Sequence, residues 1–478
     1  MFNCSALFTK AEFSKSTSKM TNETSHYEPI HCRDNLTLLI NNLSETCWNS
    51  LSRKIHQKVA MVFCDDISAI IAGHSDETVK RIVRKLIEHE SINGITLLDG
   101  TGTRIDKHSA VIANGTAGDW CELDGGYRHA LCHGGLYCIP ALIAEAEALN
   151  AQVKDVLRAL LISYEIIAKL AKCFEYENLK LHGHASLAAI GAAAAIGTLR
   201  KHTPEMIFKA VNSASTLVSP GPFDHAVKGA LIRNTWPGLA ASNGLRAVDW
   251  VELGVIATET SVYQVYKDIF GANCDPEILK TDLNETWEIE KAYHKEHACC
   301  QYGHSAVEAA RSIIENHGVL CISDINSATL ETHWRGKLLS NPAPQTTLAG
   351  KFSMEHIVAT TLKHGNASTG AFNENSLFDP DIERLRNRIS IVIFEPNLEW
   401  PNDRPARLKV ELTDGKVLFN ECLSAKGGPD FPFKSADIEK KLKNLVVGNP
   451  SYLLEPLVKI LNLKDDYLNA NWKDIIQK

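Results

Sequence analysis

The sequence has 478 residues, 44% of them hydrophobic and 22% charged, the proportions of an ordinary globular chain and not of a disordered, collagen-like or coiled-coil one. At about 150 residues per domain the length predicts two or three domains, with enough chain to bury a full core without disulfide or metal staples. The formal charge is -7, from 50 basic and 57 acidic residues; with no extended Lys/Arg stripe, this excludes a dedicated nucleic-acid binder.

In chain order, residues 1–34 are polar and read as a flexible N-terminal tail. The first twenty lack a continuous apolar core, which argues against a secretory signal; they hold three Lys but no Arg, a faint transit-peptide composition. Cytoplasm is the expected location, ahead of the mitochondrion. From Leu51 onward Ile55, Val59, Val62, Phe63, Ile67 and Ile70 recur at helical steps, closed by Gly73. Helices are also predicted over 78–91, over 139–173 as a pair divided near Asn150, over 184–199, and over 204–217 and 229–251. The stretch from Ala188 to Gly197 is almost entirely Ala and Gly, so another backbone can approach it closely. It is too short to span a membrane, and no apolar run reaches 18 residues.

After about 265 the pattern changes. Asn326–Leu338 alternates like a strand, Ile389–Phe394 is β-branched, and Arg407–Leu423 reads as strand, Asp414-Gly415 turn, strand. A helix over Ser353–His364 lies between them, capped by Gly365, and residues 435–478 return to helix with a break at Pro450. The predicted fold is mainly α with a smaller α+β domain. Residues 35–264 and 435–478 form the large all-helical domain, and 265–434 form the α+β lid domain. The thirteen cysteines are scattered, with one adjacent pair, Cys299-Cys300, and no Cys-x-x-Cys; they read as reduced thiols. Asn22 and Asn35 fit a glycosylation pattern that recurs by chance in long sequences.

Chemistry concentrates in Glu122-Leu123-Asp124-Gly125-Gly126-Tyr127-Arg128-His129-Ala130-Leu131-Cys132-His133-Gly134-Gly135. Carboxylates and histidines there supply groups for acid–base work, and the glycines let backbone turn sharply beside a ligand. His182-Gly183-His184 opens the Ala/Gly helix, where exposed N–H groups favour a carboxylate. Two cationic stretches follow: Lys228–Gly238 with Arg233, and His294–His304 with Lys295, Cys300 and His304. Arg offers a planar fork for carboxylates. No dinucleotide, phosphate-loop or nucleophile-elbow motif is present. His129 and His133 lack the context of a metalloprotease helix, so no metal and no cofactor are expected.

These segments resemble the MmgE/PrpD family. The resemblance is carried by Glu122-Leu123-Asp124 … His133, by Ile139-Pro140-Ala141-Leu142-Ile143-Ala144-Glu145-Ala146-Glu147, and by His182 leading into Gly191–Ala195. It continues through Asn341-Pro342 … Lys351-Phe352-Ser353 and Arg404-Pro405-Ala406-Arg407 … Asp414-Gly415. It covers roughly residues 40 to 445. The family contains 2-methylcitrate dehydratase, cis-aconitate decarboxylase and iminodisuccinate epimerase. The resemblance implies a cofactor-free enzyme, commonly a homodimer, with its site between a helical domain and an α+β lid. The implied substrate is a small di- or tricarboxylate, with a proton moved beside one carboxylate. Carried over by position, Asp124, His133, His182 and Lys295 are the implied catalytic set. Glu122, Tyr127, Arg128, His184, Arg233, Cys300 and His304 are the implied substrate-binding set.

This sequence departs from the family pattern at three places. Gly125 stands for a second aspartate, Gly134 for a proline, and Cys300 near a histidine of the decarboxylases. Dehydration of an alkylcitrate-like hydroxy acid therefore ranks first, ahead of decarboxylation or epimerisation. The rival classes are a catalytically silent carboxylate binder and a metal-dependent hydrolase.

Overall fold

The computed structural model describes residues 21–87, 94–283, 285–428 and 430–477. The helical body contains α1 (Thr21–Ser44), α2 (Arg53–His74), α3 (Glu77–Leu86), α4 (Lys107–Trp120), α5 (Gly134–Leu149) and α6 (Val153–Cys173). It continues with α7 (Gly183–Ser186), α8 (Ala188–Leu199), α9 (Pro204–Ser215), α10 (Asp224–Lys228) and α11 (Trp236–Glu252). Local chemistry sets their ends. Ser52, Asp76, Asp106 and Thr203 accept first-turn N–H groups of α2, α3, α4 and α9, as N-caps do. Asn150 closes α5 with a left-handed φ of 53°, a conformation Asn tolerates.

Two expectations change here. Residues 21–34 are helix and not tail: Cys32 and Leu36 are each 1% exposed, because α1 packs along α9 and the 276–280 turn. Residues 1–20 lie outside the described residues. Asn35 is buried too, its Nδ2 donating to the Pro276 carbonyl at 2.9 Å. The helix read over 229–251 begins only at Trp236, after a 3-10 turn over Leu231–Thr235.

At the centre lies α8, wholly buried and packed by α5, α6, α9 and α11. Its lack of side-chain bulk allows the closeness of these neighbours. A Cβ on Gly244 of α11 would sit 2.3 Å from the Ala189 carbonyl oxygen. Gly244→Ala is therefore expected to cost about 1–3 kcal/mol, the range of overpacked cores, read as a lower denaturant midpoint. An unchanged midpoint would mean that α11 slides freely over α8.

The α+β region holds one four-stranded sheet, in the order 417–422, 406–412, 325–332, 389–393. The strands Ile325–Thr332 and Ile389–Ile393 run parallel; the other neighbours are antiparallel. The strand expected over Asn326–Leu338 stops at Thr332, where His333 caps a short helix, Trp334–Lys337. Helices His304–His317 and Met354–His364 cover the sheet. Residues 276–280 and 288–291 pack on α1, α2 and α6, so the chain leaves the helical body well after 265. The final helices, from Ser435 onward, pack on α2 and α5. Among the described residues, no helix is long and apolar enough to cross a membrane.

Candidate active site

A cleft opens where α4, the start of α5 and α7 meet the 293–302 segment and the loop before the strand Ala406–Leu412. It is lined by Glu122, Tyr127, His133, Tyr137, His182, Arg233, Tyr293, Lys295, Cys300, Gln301, Tyr302, Phe352 and Arg404, among others. The end of α4 is fixed from the far side of the chain. Lys351 Nζ donates to the Trp120 carbonyl at 2.5 Å, and Lys441 Nζ to the Leu123 carbonyl at 2.6 Å, cations at a helix C-terminus. Glu122 adopts φ 54°, a left-handed conformation that costs a non-glycine residue about 1–2 kcal/mol. That turn swings Glu122 and Asp124 inward.

Below the cleft, charged and ionisable groups form a continuous network. Arg233 Nη1 donates to both Asp119 oxygens at 2.7 Å and to Glu122 Oε1 at 2.5 Å. Lys295 Nζ donates to Glu122 Oε2 at 3.1 Å and to Asp124 Oδ1 at 3.3 Å. All five side chains are at most 2% exposed. Burial pushes Glu122 up, but Arg233 and Lys295 together pull it down to about 2. Burial likewise opposes ionisation of Asp124, yet Lys295 and His133 hold it well below the usual carboxylate range. The same two carboxylates hold Lys295 well above the ordinary lysine value against the effect of burial. Asp119 goes the other way. Its burial wins over Arg233 and raises it to about 8.

The histidines divide between these carboxylates. His133 Nδ1 lies 2.5 Å from Asp124 Oδ2. With Asp124 ionised, Nδ1 carries the proton and donates it, which leaves Nε2 unprotonated in the neutral ring. His184 Nε2 lies 2.9 Å from Asp119 Oδ1, and its Nδ1 lies 3.1 Å from the Tyr137 hydroxyl. His182 Nδ1 lies 3.3 Å from the His184 N–H and its Nε2 lies 3.3 Å from Arg233 Nε; in the neutral ring one of these nitrogens accepts and the other carries the proton. The glycines bring backbone this close. A Cβ on Gly135 would fall 1.7 Å from Asp66 Oδ2, and one on Gly183 2.5 Å from the Tyr137 hydroxyl.

Not every residue expected here faces the cleft. Arg128 turns away, donating to Asp403 and stacking 4.5 Å over the Trp400 ring. Tyr127 lines the cleft, but its hydroxyl donates to Glu288. His304 is buried behind, with Nε2 3.3 Å from the Cys299 carbonyl. Cys300 does line the cleft; burial raises its thiol to about 11, so it stays protonated at neutral pH. Sequence reading missed Asp119, Tyr137 and Arg404 as site residues. Arg404 donates to Gln301, its guanidinium lies 4.9 Å from the Tyr302 ring, and its Nε pairs with Asp403 Oδ2 at 3.6 Å.

Residues 39–271 match the MmgE/PrpD N-terminal domain, and residues 297–451 match the MmgE/PrpD C-terminal domain. The chain belongs to the MmgE/PrpD family. Members of this family are generally enzymes with lyase or related activity, and the two-domain architecture above is that of the MmgE/PrpD proteins. No curated protein matches the chain. Lys295 stands in the stretch between the two matched domains, at the seam where the cleft opens.

Burial also fixes a pH response. Desolvation first, then neighbouring cations and imidazoles, hold His182, His184 and His304 well below the usual imidazole range. Burial brings His294 and His333 to about 4 and His356 to about 3. Such a group binds fewer protons folded than unfolded. Its stabilisation is complete above about pH 6.5 and is lost as pH falls below that value toward the folded pKa. Asp66, Asp119 and Glu165, raised by burial, act in the opposite sense. His74, His108 and His129, also lowered by burial, add to the six named, and together they outweigh the three carboxylates, so the denaturant midpoint should fall between pH 7 and pH 5. A flat or rising midpoint would show that the raised carboxylates dominate.

Proposed function

We propose that this protein is a cofactor-independent lyase that dehydrates a small hydroxy-polycarboxylate of the alkylcitrate type. The observation that carries the reading is the separation of two carboxylate–histidine pairs around one cleft. Asp124 is held ionised beside His133, whereas Asp119 is pushed toward its protonated form beside His184 and Tyr137. Pairs whose environments drive their pKa values apart mark the base and acid arms of a proton-transfer site.

On the base arm, Asp124 holds Nδ1–H of His133, and Nε2 takes the proton from carbon beside a substrate carboxylate. Lys295 holds its proton too tightly to act as an acid. It serves as a fixed cation over which negative charge develops on that carboxylate. On the acid arm, the line Asp119, His184, Tyr137 delivers a proton to the departing hydroxyl, which leaves as water. Arg404, a cation that lines the cleft, holds a second carboxylate from the lid side. Arg233 is already engaged by Asp119 and Glu122, so we assign it to holding those carboxylates and not to gripping substrate. Cys300, a thiol protonated at neutral pH, adds no proton carrier where the decarboxylases have a histidine. That favours dehydration over decarboxylation.

The test is incubation with citrate, 2-methylcitrate, longer alkylcitrates, cis-aconitate and iminodisuccinate in metal-free buffer, followed by mass spectrometry. Loss of water from an alkylcitrate is expected. Loss of carbon dioxide from cis-aconitate would make it a decarboxylase, and an unchanged mass with inverted configuration an epimerase. Binding without turnover on the whole panel would make it a silent carboxylate binder. Hydrolytic turnover abolished by a chelator and restored by a metal would favour the hydrolase rival. We also propose the family's homodimer, for which the exposed Trp250, Leu253, Val255 and Ile256 offer an apolar face; sedimentation would read a monomer if this is wrong.

A further inference from the structure

Cys32, Cys173 and Cys274 are far apart in sequence, yet their sulfur atoms all lie within 4.8 Å of one another. Cys32 comes from α1 and Cys173 from the last turn of α6. Cys274 comes from the two-residue strand Asn273–Cys274, which pairs with Phe174–Glu175 just after α6. Cys32 and Cys173 are each 1% exposed, and Cys274 is half-buried. The Cys173 and Cys274 sulfurs are 3.8 Å apart. Two thiolates bound at the usual Zn–S length of about 2.3 Å in a tetrahedron stand about 3.8 Å apart. A disulfide, by contrast, needs about 2.05 Å.

We propose that these three cysteines form a structural site for a thiophilic divalent cation of the zinc class, separate from the cleft. Soft thiolate ligands select such a metal over hard cations. Glu28, one turn before Cys32 on α1, is taken up by the Tyr263 hydroxyl at 2.7 Å, so the fourth position falls to solvent beside the half-buried Cys274. Binding exchanges three thiol protons for the metal, so protons are released. The metal would clasp α1 to the end of α6 and to the strand that follows the helical body.

The experiment is a titration of the reduced full-length chain with Co(II) under anaerobic conditions, then competition of zinc against a chromophoric chelator. One cobalt per chain is expected, with an intense thiolate-to-cobalt charge-transfer band and tetrahedral visible bands. Cys32→Ser, Cys173→Ser and Cys274→Ser should each weaken zinc binding at least about a hundredfold, beyond the loss from removing a mere outer-shell contact. Should a serine variant fail to fold, the wild-type chain still answers: zinc should protect these three cysteines from alkylation, mapped by peptide mass. Absence of the charge-transfer band in the reduced wild type would overturn the proposal. So would an unchanged zinc affinity in folded Cys274→Ser, or a Cys173–Cys274 disulfide in the protein isolated without reductant.

Discussion

His133→Ala is expected to lower kcat by about 10²–10⁴-fold, the usual contribution of a positioned general base, with little change in KM. His133 is partly exposed at the start of α5, so its removal costs little packing; losing its hydrogen bond to buried Asp124 should cost about 1–3 kcal/mol of stability, without unfolding the protein. Asp124→Asn should lower kcat comparably by a different route. The amide can no longer fix the proton on Nδ1, and the ring then also presents the wrong nitrogen to the substrate. Tyr137→Phe removes the last donor of the acid arm and should cost about a hundredfold while binding persists. The series separates the arms: a substrate with a better leaving group should rescue Tyr137→Phe and not His133→Ala. If His133→Ala is nearly silent, the base lies elsewhere and the proposed roles fail.

Lys295→Met should act mainly on folding. It leaves Glu122 and Asp124 facing each other with one cation fewer, at 1% solvent exposure of the lost side chain. Removing one partner of a buried ionic group typically costs about 3–5 kcal/mol, because the remaining charge stays desolvated. Lowering the pH relieves this by protonating a carboxylate, so the deficit relative to wild type should shrink toward about pH 4, the ordinary carboxylate range. Arg233→Met should behave alike, with the burden on Asp119 and Glu122. Equilibrium denaturation of both variants across pH measures it. A deficit that stays constant with pH would mean the loss is one of packing.

The helices were legible in the sequence because their apolar spacing and end signals are local; Asn150 and Gly365 stand where α5 and the helix Met354–His364 close. Asp124 and His133 were legible because both sit in one glycine-rich segment. Asp119 stayed hidden because its partner is Arg233, 114 positions on. Tyr137 reads as one more apolar-face residue of α5, and only packing sets its hydroxyl against His184. Arg128 misled for a related reason. It follows Tyr127 at the end of a two-residue strand, where consecutive side chains leave on opposite sides. The cysteine triad leaves no trace at all in spacing, since its members come from three separate elements.

The groups proposed to move protons and Arg404 belong to different stretches of chain. Asp119, Asp124, His133, Tyr137 and His184 are set by the helical body, while Arg404 rides on the loop entering a sheet strand. Diversification can therefore be modular. On the proposed roles, point changes around residues 400–404 would alter which substrate is admitted while the groups proposed to handle protons stay intact. A lineage built this way explores new substrates cheaply, and relatives sharing one floor should differ first in what hangs above it.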